Sequence, residues 1–227
     1  MKKYDIFLFD ADDTLYDFNL SSAYALKAMF EQCGFVYSDS VQARYNQINR
    51  QALKRYEKGE FTLYELQTVR FSRLFGEVGV SYDTEEFYKG YIHELGKGVF
   101  LLDGALEICR EIASHGKRIY IVTNGPPATQ EARAKYSPLS KYITGVFDFH
   151  TIGHQKPNME FFQHVFAHIP ADKDKMLIIG DSLPADVGGG NNAGIDTCWL
   201  NARNAKNRTA IKPVYVVKRL LELRKFI

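Results

Sequence analysis

The chain has 227 residues, 45% of them hydrophobic and 25% charged, with a net charge of +2. That is enough chain for one large core, or for one core with a second unit inserted. The balanced charge argues against a nucleic-acid polymer as partner, and no apolar run is long enough to cross a bilayer. The three cysteines, Cys33, Cys109 and Cys198, form no C-x-x-C pair, so neither a zinc site nor a disulfide framework is supported. Met1-Lys2-Lys3 leads into a strand without the apolar stretch of a signal peptide. A cytoplasmic protein with no membrane partner is expected.

Asp5–Phe9 reads as a short strand. It is apolar at nearly every position, which suits a strand covered on both faces in the middle of a parallel sheet. It runs into Asp10-Ala11-Asp12-Asp13, three carboxylates in four residues. If the backbone stays extended, Asp10 and Asp12 share one side. Carboxylates held together repel, so one takes up a proton unless a cation lies between them. The pattern suits a hard divalent ion, or a nucleophile beside a general acid. The plain alternative is a polar turn after a strand.

The pattern then turns helical. Leu26, Met29, Phe30 and Cys33 mark one helix face, which Gly34 ends. Ser38 caps a second helix carrying Tyr45, Ile48 and Ala52. Thr62-Leu63-Tyr64-Glu65 has the form of a capping box, and the stripe Phe71, Leu74, Phe75, Val78 follows up to Gly79. Asp83–Glu86 repeats the capping pattern before Tyr88, Tyr91, Ile92 and Leu95. Four helices thus fill residues 18–96. Cys33 and Cys109 read as small core residues on apolar stripes.

Beyond Phe100, strand and helix alternate. Helix Gly104–His115 precedes strand Arg118–Thr123, a turn at Asn124–Pro127 and helix Ala128–Tyr136. A short strand is expected near Phe149–Ile152, then a loop to Pro157 and helix Met159–His168. Strand Met176–Ile179, a turn into a helix, strands Thr197–Leu200 and Val214–Val217, and a last helix complete the chain. Alternation implies an α/β fold with a doubly wound parallel sheet. Residues 1–17 and 97–227 form its core, and 18–96 an inserted α-helical cap that would lie over the site as a lid. In such sheets ligands bind past the carboxyl ends of the strands. Asp10 and Asp12, Thr123 and Asn124, Lys156, and Asp181 with Asp186 all fall there. Acids, a lysine and a small hydroxyl without convergent Cys or His suit phosphoryl transfer with Mg2+. No P-loop is present to support an ATP-type NTPase.

Asp10-Ala11-Asp12-Asp13-Thr14, Thr123-Asn124, Lys156-Pro157 and Gly180-Asp181-Ser182-Leu183-Pro184-Ala185-Asp186 appear in order. Together they resemble the four motifs of the haloacid dehalogenase superfamily, mostly phosphatases, whose helical cap the insert also resembles. The resemblance implies that Asp10 attacks phosphorus and ligates Mg2+. Asp12 protonates the leaving oxygen, then activates water, and its backbone carbonyl is a second Mg2+ ligand. Thr123 and the backbone N–H of Asn124 bind the phosphoryl group, and Lys156 neutralises charge. Asp181 is the third protein ligand, and Asp186 supports the site through a metal-bound water or Lys156. An acid at Asp12 favours a phosphomonoesterase over a dehalogenase, because an alkoxide needs a proton to leave. The segment Gly59–Leu66 with Arg70-Phe71, and Phe9–Leu15 with Asp17-Phe18, resemble the bacterial 5′-nucleotidases of pyrimidine and non-canonical nucleotides. A small phosphorylated metabolite is the expected partner.

Several features have plainer readings. Asp13 is expected to point away from Asp10 and Asp12. Gly188-Gly189-Gly190 departs from the family helix and should delay or fray it. Asn158 stands where the family often has Asp, and caps a helix as Asn can. His164 and His168 read as solvated. Tyr16, Phe18, Tyr56, Phe61 and Tyr64 are expected mainly as cap core, with Phe18 and Tyr64 the candidates for contact with a base or sugar. A phosphosugar phosphatase or mutase, or a non-catalytic binding protein on the same scaffold, are the competing functions.

Overall fold

Strand β1 (Ile6–Phe9) is apolar at every position because both its faces are covered. In the computed structural model, which describes residues 2–57 and 59–227, each residue of β1 is fully buried. Phe7 and Phe9 join Ile108, Ile112, Ile121 and Leu223 in one layer. Ile6 and Leu8 join Phe161, Phe162 and Val165 in the other. The two-residue strand period thus sorts one short segment into two cores. Strands β2 (Arg118–Thr123), β3 (Gly145–Asp148), β4 (Met176–Gly180), β5 (Asp196–Leu200) and β6 (Tyr215–Val217) complete a parallel sheet of order β3-β2-β1-β4-β5-β6. The chain winds outward from β1 to β3, then returns across β1 to begin again at β4. The reversal lies between β1 and β4, where such sheets open a crevice. Phe9 pairs with both Ile121 and Ile179, so the residues past these strands share one edge.

Between β1 and β2 the chain forms α1 (Phe18–Gln32), α2 (Asp39–Glu57), α3 (Leu63–Val78), α4 (Thr84–Lys97) and α5 (Ala105–Ser114). The contacts divide the chain into two compact units, one running from the N-terminus to Phe18 and including Val99–Ile227, the other Asn19–Gly98. In the helical unit, Thr62 and Glu65 form the reciprocal capping box of α3, and Gly79 ends that helix in the left-handed conformation at φ 73°. Phe71 is its centre, stacked on Tyr45 at 5.5 Å and packed against Phe87 and Tyr91 at 5.0 and 5.1 Å. Among the described residues, Phe30, Tyr45, Phe71, Phe75, Phe87, Tyr88 and Tyr91 are its buried aromatics. This corrects the expectation that Tyr16, Phe18, Tyr56, Phe61 and Tyr64 mainly fill the cap core. Tyr16 is buried in the other unit, Tyr64 is 61% exposed on the first turn of α3, and Phe61 lies under the Arg55 guanidinium. Cys33 sits half-buried in the turn after α1 rather than on its apolar face.

In the sheet unit, α6 (Pro127–Tyr136) follows β2. The strand expected at Phe149–Ile152 is instead a single helical turn, α7, and the strand precedes it as β3. Asp148 causes the change: its carboxylate accepts from the N–H and hydroxyl of Thr151 and so caps the turn. Helix α8 (Met159–His168) begins after Asn158, whose side chain makes no capping bond although Asn was expected to supply one. His164 and His168 stack on each other at 4.3 Å against Phe147.

After β4 a π-helical turn, Leu183–Gly188, leads into the short α9 (Gly189–Ala193). A Cβ on Gly189 would lie 2.6 Å from Phe162, and one on Gly190 2.6 Å from Ile178 and Thr197. These glycines give up helix length for close approach, Gly189 to α8 and Gly190 to the sheet. The last helix is 3-10, Leu220–Phe226, because Leu220, Leu223 and Phe226 bury one edge at a spacing of three. Among the described residues no helix is long and apolar enough to cross a membrane.

The aromatic core sets a stability test. Phe71→Ala should destabilise the helical unit by about 3–5 kcal/mol, the usual cost of deleting a buried ring. Tyr64→Ala should stay within about 0.5 kcal/mol, as at other exposed positions. Urea titration followed by circular dichroism checks both. Equal shifts would deny Phe71 its central place.

Candidate active site

Asp10 is the first residue past β1, and its N–H still donates to the Ile179 carbonyl at 2.9 Å. The backbone does not stay extended beyond it. Leu15 and Tyr16 both donate back to the Ala11 carbonyl, and Asp13 takes a left-handed φ of 57°. Asp13 turns to the Phe18 N–H and the Arg203 guanidinium, as a structural residue would. The loop also brings Thr14 back, so its hydroxyl donates to Asp10 Oδ2 at 3.3 Å.

Lys156 ties the rim together. Its ammonium, 2% exposed, donates to Asp10 Oδ1 at 2.8 Å, Asp186 Oδ1 at 2.6 Å and the Val122 carbonyl at 2.6 Å. Those partners use its full set of donors. Asp186 also accepts from the Ser182 N–H at 3.0 Å. A side chain on Gly180 would collide with the Asp186 carboxylate, so β4 ends in glycine to let that acid fold back beside the lysine. Asp181 follows Gly180, with its carbonyl held by the Trp199 indole N–H at 2.9 Å.

Asn124 braces the lysine from behind. Its amide donates to the Lys156 carbonyl at 3.0 Å and accepts from the Lys156 N–H at 2.9 Å. Thr123 is buried at the end of β2, and its hydroxyl accepts from the Gly125 N–H at 2.9 Å. Asp12 stands next to this turn. The position a Cβ would take on Gly125 is 3.1 Å from Thr123 Oγ1 and 3.5 Å from Asp12 Oδ2. Asp10, Lys156, Asp181 and Asp186 thus form one cluster, with Thr123, Asn124 and Asp12 around it. Phe18 opens α1, half-exposed, and Tyr64 belongs to the helical unit.

The charges in the cluster are unbalanced. Ligand atoms of Asp10, Asp181 and Asp186 lie within 4.8 Å of one another around a single ammonium. Burial pushes the Asp10 carboxyl up to about 7, against the pull of Lys156 and with the help of Asp186. Burial, followed by the charges of Asp10 and Asp186, pushes Asp181 up to about 8. Lys156 is held above its ordinary value: burial opposes its charge, but Asp10 and Asp186 outweigh that. Two protonation-prone carboxylates beside a third that is already paired form a hard oxygen donor set, which fits a small divalent cation. Among the described residues, both oxygens of Asp10 and of Asp186 accept from protein donors, while the Asp181 carboxylate accepts from none and is the freest ligand.

Sequence reasoning missed two partners. One is Thr14. The other is Arg133, 2% exposed on α6, whose guanidinium forms an ion pair with Asp12 Oδ1. A signal was present: Thr129, Gln130 and Arg133 share the buried face of α6, where apolar residues would be expected.

The sequence matches the haloacid dehalogenase-like hydrolases over residues 4–194. It is 38% identical to the HAD-hydrolase YfnB of Bacillus subtilis, covering 98% of this chain and 95% of that one. The crystal structure of YfnB bound to magnesium superposes with a TM-score of 0.92, at 37% identity over 99% of this chain and 98% of that one. The pyrimidine 5′-nucleotidase PynA of Streptococcus pneumoniae is 34% identical, covering 94% of this chain and 91% of its own. The pyrimidine 5′-nucleotidase YjjG of Escherichia coli is 29% identical, covering 99% and 98%. The chain is a member of the haloacid dehalogenase-like hydrolase family.

Proposed function

We propose that the protein is a Mg2+-dependent phosphomonoesterase acting through an aspartyl-phosphate, with nucleoside 5′-monophosphates as substrates. The observation that carries this reading is the Asp10 carboxylate, held by Lys156 at 2.8 Å, with a second acid, Asp12, two residues along. Asp10 attacks phosphorus, and its new P–O bond forms as the ester P–O bond breaks. Asp12 gives its proton to the leaving oxygen. Asp12 then takes a proton from water, which attacks the aspartyl-phosphate and releases inorganic phosphate and Asp10. The Thr123 hydroxyl and the Asn124 N–H hold phosphoryl oxygens, while Lys156 offsets the approaching charge. Asp10, Asp181 and the Asp12 backbone carbonyl would hold the magnesium ion, which when bound supplies neutralising charge at the phosphoryl group. Asp186 stays with Lys156.

Full-length similarity to two pyrimidine 5′-nucleotidases supports the nucleotide class. The reactive residues all lie outside the helical unit, which leaves that unit free to select the leaving group and act as a lid. Phe18 and Tyr64 are the residues proposed to meet the nucleoside.

Purified protein should release inorganic phosphate from dUMP and from p-nitrophenyl phosphate. Asp10→Asn should remove nearly all of it, by about three orders of magnitude or more, as for other covalent catalysts. Substantial turnover by the variant would take the nucleophile's role from Asp10. Transfer of phosphate back to sugar, without release, would point to a mutase.

Metal and pH are linked. The folded metal-free protein binds extra protons between the ordinary Asp value of 3.8 and the raised values of about 7 and about 8 at Asp10 and Asp181. Its stability in EDTA should therefore fall as pH rises through that window, because the folded state there holds more protons than the unfolded chain. Magnesium competes with those protons. The Mg2+ concentration for half-maximal activity should therefore rise as pH drops from about 8 to about 6, and Ca2+ should not substitute, because it takes more ligands at longer distances. Full activity after exhaustive chelation would rule out the metal site.

The lid reading predicts a substrate-dependent loss. Phe18→Ala and Tyr64→Ala should lower kcat/KM for dUMP by about 1–3 kcal/mol if a base stacks there. Hydrolysis of p-nitrophenyl phosphate should change little. Equal losses on both substrates would remove these residues from nucleoside selection.

A further inference from the structure

Arg133 is buried on α6 with its guanidinium 4.2 Å from the centre of the Tyr16 ring. Tyr16 is fixed in turn by its hydroxyl, which donates to Ser137 Oγ at 3.0 Å. Arg133 is also locked through its backbone, because its carbonyl accepts from the Ser137 N–H at 2.8 Å and from the Ser140 hydroxyl at 3.2 Å. Its Nε and Nη1 have no hydrogen-bond partner among the described residues. Asp12 is its one carboxylate partner among those residues. A buried guanidinium that leaves two nitrogens unsatisfied is a poor device for stability. What it does accomplish is to hold one oxygen of one carboxylate.

That contact divides the two oxygens of Asp12. Oδ1 faces an obligate donor, since arginine does not give up its charge. Oδ1 therefore accepts, and a proton on this acid belongs on Oδ2. Oδ2 is the oxygen on the side of the Gly125 turn, 3.5 Å from where a Cβ on Gly125 would stand. The Asp12 carboxylate is bonded to a helix in the same unit rather than to its own loop, so its direction is set by α6 and the Tyr16 ring. We propose that Arg133 is a positioning residue that aims Oδ2 of Asp12 at the leaving oxygen of the substrate. This rests on the phosphomonoesterase reading. In the step concerned, the P–O bond to the leaving group breaks, its electron pair stays on the leaving oxygen, and the proton on Oδ2 moves to that oxygen.

The test exploits the leaving group. An alkoxide needs the proton, whereas p-nitrophenolate leaves nearly unaided. Wild-type protein and the Arg133→Met and Arg133→Lys variants are assayed with Mg2+ for kcat/KM, which reports the steps through cleavage of the ester bond. In Arg133→Met, kcat/KM for dUMP should fall about tenfold to a hundredfold, part of the 10²–10⁴ that a positioned acid supplies. For p-nitrophenyl phosphate it should fall less than about threefold. Arg133→Lys keeps a positive charge on the same helix and should show the same selectivity with a smaller loss; it decides the matter if the methionine variant does not fold. Equal losses on both substrates, no loss on either, or a greater loss on the aryl ester would each overturn the assignment. A wild-type protein that hydrolyses neither ester would instead remove the phosphomonoesterase reading itself, before any variant is compared.

Discussion

One buried ammonium among several carboxylates governs this molecule. Lys156 is almost wholly withdrawn from water and spends its donors on Asp10, Asp186 and a β2 carbonyl. Removing one side of such a pair typically costs about 3–5 kcal/mol, because the other charge is left stranded. Asp181 has no ion-pair partner among the described residues, and burial, followed by the charges of Asp10 and Asp186, drives it towards protonation. The cluster is therefore short of positive charge by construction. A fold built for stability alone would have no reason to keep it so, while a site that recruits a divalent ion and a phosphoryl group needs that imbalance.

The sheet makes the cluster affordable. The apolar strands β1, β2 and β4 bury side chains on both faces, and their chemistry begins only where pairing ends. Because strand order reverses between β1 and β4, the loops after those strands diverge and leave room for Asp10 and Asp181. Glycine then appears where backbone must come close. Gly180 admits the Asp186 carboxylate, Gly189 brings α9 against Phe162 of α8, and Gly190 brings it against the sheet. The glycine run that looks like a weak helix in the sequence is a packing device in the structure.

Much of this was legible from sequence because the signals are local. Thr62 and Glu65 carry their capping box within four residues, and the apolar run at Ile6–Phe9 announces a strand covered on both sides. The misses arise where one residue outvotes a pattern. Asp148 captures Thr151 and turns an apolar segment into a helical turn. Leu220, Leu223 and Phe226 are compatible with either helix type until a core selects the spacing of three. Arg133 was missed for a different reason. Its partner lies 121 positions away, and nothing in the local pattern of α6 says that a polar inward face has a carboxylate opposite it.

Asp10 and Asp12 show how neighbouring acids can take opposite parts. Asp10 is bonded to the Lys156 ammonium and the Thr14 hydroxyl within the cluster. Asp12 leaves that cluster through the backbone reversal at Asp13, whose φ of 57° swings the loop back towards Leu101. It is then bonded to a guanidinium on a helix outside the cluster. One carboxylate thus shares its charge with the groups that would meet phosphate, and the other shares its charge with the scaffold. Separate cations hold the two carboxylates to different parts of the fold, and a proposed nucleophile can then stand two residues from a proposed acid.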